Sequence, residues 1–216
     1  GNPVVFTSYK DDSVGGDTNA DGIASLPAKG DWNAIYVTNG IVNLDYAILR
    51  YAGVVGSNAY MGAITQTSCC WTNYNATISI NHSTLSDNGK PAVYLGYGTG
   101  ISGTLSLLNS TIQNNTGNGI QVNQGFAVTI ENSTFSGNTN YAGYFPLYGN
   151  NLSLSGNQGS GNLHNAIYLD GTVNDITLAP QGSLVYQFGY ITIPAGKTMT
   201  LQPGAIVKLD SGALLS

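Results

Sequence analysis

Only 8% of the 216 residues are charged, against roughly 25% in an average soluble chain. The net charge is −5, and the six basic residues (Lys10, Lys29, Arg50, Lys90, Lys197, Lys208) are scattered; with no basic patch to track a phosphate backbone, nucleic acid is not an expected partner. No apolar run nears the roughly 20 residues of a membrane-spanning helix, so membrane insertion is not expected either, while the 42% hydrophobic content suffices for a core.

The chain opens on a short apolar strand, Val4-Val5-Phe6, followed by a long acidic loop over residues 7–33. Asp17-Thr-Asn19-Ala-Asp21-Gly22 matches the opening of an EF-hand loop, in which alternate oxygen ligands wrap a hard cation and the glycine permits the bend. The downstream bidentate Glu is missing; Asp11, Asp12 and Asp31 are the candidates to replace it. Carboxylates crowded this closely repel one another unless a cation lies between them. One reading is therefore a structural Ca²⁺ held by Asp11, Asp12, Asp17, Asn19 and Asp21. The other is a solvated acidic loop whose side chains bond the turn backbone.

A phrase then recurs. It reads Thr77-Ile-Ser-Ile-Asn-His-Ser-Thr-Leu-Ser-Asp-Asn88, Thr104-Leu-Ser-Leu-Leu-Asn-Ser-Thr-Ile-Gln-Asn-Asn115 and Val128-Thr-Ile-Glu-Asn-Ser-Thr-Phe-Ser-Gly-Asn138, with a worn copy from Leu152 to Asn162. An earlier copy, Val42 to Tyr51, fits the frame with Tyr51 in the asparagine column. The closing asparagines are 27, 23 and 24 positions apart. A period near 23 marks a solenoid. Apolar residues alternate with Ser or Thr inside each phrase, which is the period of a strand with one face buried. A second apolar site follows Ser-Thr (Leu85, Ile112, Phe135), and a third strand follows the glycine turn (Ala92–Leu95, Gly119–Val122, Ala166–Leu169). Three short strands per coil give an all-β parallel β-helix of about 23 residues per coil. It spans 1–216 as one domain, with regular coils over 77–162 and a C-terminal coil over 191–216. Stacked coils turn Asn88, Asn115, Asn138 and Asn162 into a ladder, its turn asparagines suited to left-handed backbone.

The only cysteines, Cys69 and Cys70, are adjacent. They are either two separate thiols, a vicinal disulfide closing a strained ring, or bonds to another chain. Sequons at Asn75, Asn81, Asn109, Asn114, Asn132 and Asn151 are glycosylation candidates, Asn75 and Asn151 foremost, although the repeat is itself built from Asn, Ser and Thr. Asn81, Asn109 and Asn132 are read as pointing along the ladder. Tyr94, Tyr97, Tyr141, Tyr144, Tyr148 and Tyr168, with Trp71 and Tyr74 nearby, suit protein association, stacking on sugars, or plain strand filling. Asp45 and Arg50 are read as an ion pair, and His82 and His164 as surface or stacking residues.

Two blocks carry a family resemblance. Val4-Val-Phe-Thr-Ser8 through Asp11 to Gly22, Gly30-Asp-Trp32 and Ile35, together with Ile193-Pro-Ala-Gly-Lys through Gln202-Pro-Gly-Ala-Ile-Val-Lys208, resemble blocks of secreted, cell-surface right-handed parallel β-helix proteins (pectin-lyase-like) of bacteria and archaea. The resemblance implies an extracellular location. It does not choose among adhesins, sheath proteins, lyases and glycosidases. In similar proteins the second block usually precedes the first, so the C-terminal coil of one copy is expected to fit the N-terminal coil of another, either as units of one tandem array or as separate copies stacked head to tail.

The expected role is a non-enzymatic building block that stacks on copies of itself into a filament, sheath or surface array. The interface residues are Val4, Val5, Phe6, Ile206, Val207, Leu209, Leu214 and Leu215, and no catalytic residue is assigned. The alternative is a carbohydrate-binding or adhesive module with a polysaccharide partner, and the third a polysaccharide lyase or glycosidase. Acids outside residues 11–31 are isolated, whereas those enzymes need paired carboxylates or an acid with a base.

Overall fold

The computed structural model describes residues 2–54, 61–67 and 73–216. Its strands wind as a parallel β-helix, every strand pairing being parallel. The first face stacks Val4–Phe6, Ala47–Arg50, Thr84–Ser86, Thr111–Gln113, Thr134–Ser136 and Gln158–Ser160. The second, with eight strands, runs from Ile35–Tyr36 through Ile64–Thr67, Val93–Tyr97, Ile120–Val122, Tyr141–Pro146, His164–Thr172 and Val185–Thr192 to Val207–Leu209. The third stacks Ile41–Asp45, Tyr74–Asn81, Ile101–Leu108, Phe126–Glu131 and Asn151–Ser155; a separate pair, Ile176–Leu178 with Met199–Leu201, follows it in the chain.

Alternation within the repeat sets which side chains point inward. Leu49, Leu85, Ile112 and Phe135 form one continuous column through successive register partners, and all are buried. The column ends at Gly159, partner of Phe135. A Cβ there would lie 2.2 Å from Leu184 Cδ2, so Leu184 fills the space that a side chain at 159 would take. The third face contributes Leu44, Ile80, Leu107, Ile130 and Leu154 as a second buried column.

The asparagine ladder forms as the repeat implies. Asn88 Nδ2 donates to Asn115 Oδ1 (2.7 Å), Asn115 Nδ2 to Asn138 Oδ1 (3.1 Å) and Asn138 Nδ2 to Asn162 Oδ1 (2.8 Å). The same oxygens accept the backbone N–H groups of Asn88, Asn115 and Asn138. Two details differ from the sequence reading. The left-handed residue at this corner is the one before each asparagine: Asp87 (φ 54°), Asn114 (φ 55°), Gly137 (φ 62°) and Gly161 (φ 64°). The asparagine's task is bonding, not bending. Tyr51 (φ 67°) belongs to that left-handed column, because Leu49 pairs with Leu85 and Arg50 with Ser86. The residue beside Asn88 is Ala52, whose N–H donates to Asn88 Oδ1.

A second ladder lies at the preceding corner. The N–H of Ala47 donates to Ser83 Oγ, that of Ser83 to Ser110 Oγ, that of Ser110 to Ser133 Oγ, and that of Ser133 to Asn157 Oδ1. Asn157 Nδ2 then donates to Gln181 Oε1. The serine of each Asn-Ser-Thr phrase is thus a buried corner bond.

Asn115→Ala should be strongly destabilising. It removes the acceptor of the Asn88 N–H and of the Asn88 side-chain amide, and a donor to the Leu85 carbonyl, at about 1–3 kcal/mol for each group left unsatisfied. The urea midpoint should fall accordingly, whereas Gln113→Ala, on the half-buried outward side of the same coil, should move it little.

Candidate functional site

The acidic loop is tied to the solenoid before it forms a site. Arg50 Nη2 pairs with Asp11 Oδ2 at 2.5 Å, and Asp11 also accepts from Thr7 and Ser13. Trp32 Nε1 donates to the Arg50 carbonyl, the Gly30 N–H donates to the Tyr51 carbonyl, and Lys29 Nζ bonds the Asn114 carbonyl two coils on. Lys10 pairs with Asp31 at 2.9 Å, and Asp31 accepts further bonds from Ser8 and the Ala28 N–H. Burial alone would raise the carboxyls of Asp11 and Asp31. Bonds from Ser13, Thr7 and Arg50 to the one, and from Lys10, Ala28 and Ser8 to the other, outweigh it and hold both below their usual value.

Three carboxylates converge within this frame. Oxygens of Asp12, Asp17 and Asp21 lie within 4.8 Å of one another. Asp17 shapes the turn by accepting the N–H groups of Asp21 and Gly22, and Gly22 takes the left-handed bend (φ 69°). Asp21 accepts from Ser25 Oγ, which in turn accepts from Asn19 Nδ2. Asp12 Oδ1 and Asn19 Oδ1 are buried atoms with no hydrogen-bond partner. Burial, then the charges of Asp17, Asp21 and Asp11, push the Asp12 carboxyl above its ordinary value. Such an all-oxygen donor set with unspent acceptors suits a hard divalent cation.

Of the five residues proposed from sequence, the structure brings together Asp12, Asp17 and Asp21. Asn19 lies between the last two in the loop. Asp11 is not part of the cluster; it is committed to Arg50. That bond also overturns the expected Asp45–Arg50 pair: Asp45 instead faces His82 Nδ1 (3.4 Å) and Asn81. His82 stacks on Tyr46 (4.7 Å between centroids, 11°), and His164 stacks on Tyr141 (4.5 Å, 23°).

The remaining candidates sort by exposure. Asn75, Asn109, Asn114, Asn132 and Asn151 are exposed, and Asn81 is half-buried. Asn109 and Asn132 occupy left-handed corners (φ 48° and 49°) and so turn outward rather than along the buried ladder. Asn109 Nδ2 bonds Asn81 Oδ1 at the surface. Cys69, Cys70 and Trp71 lie outside the described residues. Tyr144 and Tyr168 stack face to face (5.0 Å, 2°) and Tyr141 tilts against both. The facing sides of Tyr144 and Tyr168 are covered by each other.

The assembly residues fall at the two ends of the solenoid but on different faces. Among the described residues, Val4–Phe6 is the first strand of the first face and pairs only with Ala47–Leu49, and Val207–Leu209 is the last of the second and pairs only with Tyr186–Phe188. Leu215 bridges Ile191 on the second face. In a coaxial stack the strand directly opposed to Val207–Leu209 is therefore Ile35–Tyr36, not Val4–Phe6. The offset was hidden because the sequence does not mark Ile35–Tyr36 as a strand: it is two residues long and follows a 27-residue loop.

A family model described as a right-handed β-helix region matches residues 68–179, a little over half of the chain. The protein belongs to this family, and its coils are right-handed. No curated protein and no solved structure matches the chain significantly.

The depressed carboxyls define a pH window. Because the folded values of Asp11 and Asp31 lie below the unfolded value of roughly 3.9, their contribution is complete above that pH and is lost as the pH falls through the folded values. Arg50→Ala should cost about 1.5–3 kcal/mol near neutral pH. The gap between variant and parent in urea titrations should close below about pH 4.

Proposed function

We propose that this chain is a non-enzymatic structural protein of the extracellular surface, whose solenoid stacks end to end on copies of itself and whose acidic loop holds a structural calcium ion. One observation carries the stacking. Inward side chains of the central coils are buried, Ile78, Ile80, Leu85, Leu95 and Leu107 among them. Phe6, Ile35 and Val42 at one end, and Met199, Ala205 and Val207 at the other, point at the same core yet stay partly exposed. Val4, Ile41, Leu201, Ile206, Leu209, Leu214 and Leu215 are exposed apolar residues of the same terminal coils. Among the described residues no helix lies across either end. Unpaired strand edges beside unsealed apolar cross-sections are templates for adding another coil.

The non-enzymatic reading is supported by where the carboxylates go. Asp11 serves Arg50, Asp31 serves Lys10, Asp175 accepts from Thr198 and Lys197, and Asp210 accepts from Gln187. Each is occupied in holding a coil or loop together. Sparse charge and abundant Asn, Ser and Thr suit a surface protein stabilised by stacked bonds.

The stacking is tested by concentration-dependent sedimentation and electron microscopy. Parent protein should form rods one solenoid wide, and Leu209→Glu or Ile35→Glu should yield folded monomers. A parent that stays monomeric at millimolar concentration removes this reading. For the metal, calcium should raise the melting temperature and chelator reverse it, with Asp12→Asn and Asp17→Asn blunting the response and Asp11→Asn leaving it. A melting temperature indifferent to calcium leaves only a solvated loop.

A further inference from the structure

Between the second and third faces, midway along the solenoid, the chain leaves a cleft of about 510 Å³ whose lining includes Tyr97, Asn123, Gln124, Pro146 and Tyr148. It runs into an adjoining lobe of about 320 Å³ that shares Gln124 and Tyr148 and adds Thr99. These residues come from three successive coils, so the trench runs along the solenoid axis, with coils spaced about 4.8 Å apart. Its floor is backbone at close approach: a Cβ at Gly96 (φ 79°) would lie 2.5 Å from the Gln124 carbonyl oxygen.

We infer that this cleft binds a neutral oligosaccharide. The ring of Tyr148 rests on Gly171, where a Cβ would meet Cζ at 2.9 Å, and the residue is 54% exposed. One ring face is therefore supported and the other open, the arrangement a sugar ring needs. Two planar amides stand beside it, held in place from behind. Asn123 Nδ2 donates to the Leu95 carbonyl while its Oδ1 accepts from Gln121, and Gln124 Nε2 donates to the Gly98 carbonyl. Each amide has a second N–H beyond those bonds, oriented by its anchor at low entropic cost. The described lining holds tyrosine, proline, glycine and uncharged polar residues, with no Lys, Arg, Asp or Glu. A phosphate or uronate would find no cation there, a basic peptide no anion, and a purely apolar ligand would strand the amides. Hydroxylated rings without charge satisfy both the open face of Tyr148 and the amides.

The site lies away from both solenoid ends, so it stands apart from the stacking reading and survives its failure. The test is a screen of neutral oligosaccharides (gluco-, manno-, xylo- and galacto-oligosaccharides) beside uronate-containing ones, followed by calorimetric titration of those retained. Neutral members should bind. Tyr148→Ala should weaken binding at least tenfold, about 1.4 kcal/mol, and Gln124→Ala should weaken it measurably. Tyr148→Phe, which keeps the ring, should retain binding. Tyr190→Ala, at an equally exposed tyrosine elsewhere, should change nothing. Retention of only the uronates, absence of binding to every member at millimolar concentration, or binding indifferent to both Tyr148→Ala and Gln124→Ala would each overturn the inference. Sedimentation of Tyr148→Ala should match the parent, separating this site from assembly.

Discussion

The rest of this molecule depends on how a coil turns its corners. Strand ladders satisfy the peptide groups on the flats, but every corner turns some of them inward, away from water. A buried group left unmatched there would cost about as much as several well-packed methyl groups yield. The chain answers with side chains whose polar atoms mimic a peptide: serine and then Asn157 at one corner, asparagine at the next. At the third, Asn150 accepts from the Phe126 N–H and donates to the carbonyls of Val122 and Pro146. The repeat is written in Asn and Ser because the corners, more than the core, restrict what can stand there.

That division of labour explains how coils of unequal length stack. Ladder asparagines are separated by 27, 23 and 24 residues, yet the strands stay in register. The extra residues of the longer coil fall between the second and third faces, around Gly98 and Gly100, where left-handed glycines carry the excursion. The same corner forms the trench beside Tyr97 and Tyr148. The excess of that coil sits at the corner without a continuous ladder, whereas the acidic loop leaves between the first and second faces.

Much of the fold was legible because the period was. Alternation identified the inward residues, and Asn88, Asn115, Asn138 and Asn162 announced their ladder by recurring. The serine ladder recurred just as plainly, but Ser in a strand is ordinarily an outward residue, and spacing alone does not show a corner. Tyr51 was misplaced by one position because its phrase ends in an aromatic residue where later copies carry Asp, Asn or Gly; only the pairing of Leu49 with Leu85 fixes it. Of the acidic loop, the convergence of Asp17 and Asp21 was readable from the motif. The allegiance of Asp11 was not, since Arg50 lies 39 residues away and only the coil brings it near. Lys29 reaching Asn114 is the same lesson at greater range.

The ladders also have a sense. In each rung of both corner stacks, the backbone N–H of the earlier coil donates to a side-chain oxygen of the later one: Ala52 to Asn88, Asn88 to Asn115, Asn115 to Asn138, Asn138 to Asn162, and likewise along the serines. These rungs all run one way, while the side-chain amides of Asn115, Asn138 and Asn162 donate back to the Leu85, Ile112 and Phe135 carbonyls of the earlier coil. A column of like-oriented dipoles makes the solenoid a vector rather than a symmetric rod, with chemically different ends. Anything that prolongs these columns inherits the arrow, as does any fibre built from them, so two such rods meeting with opposed arrows could not share a ladder.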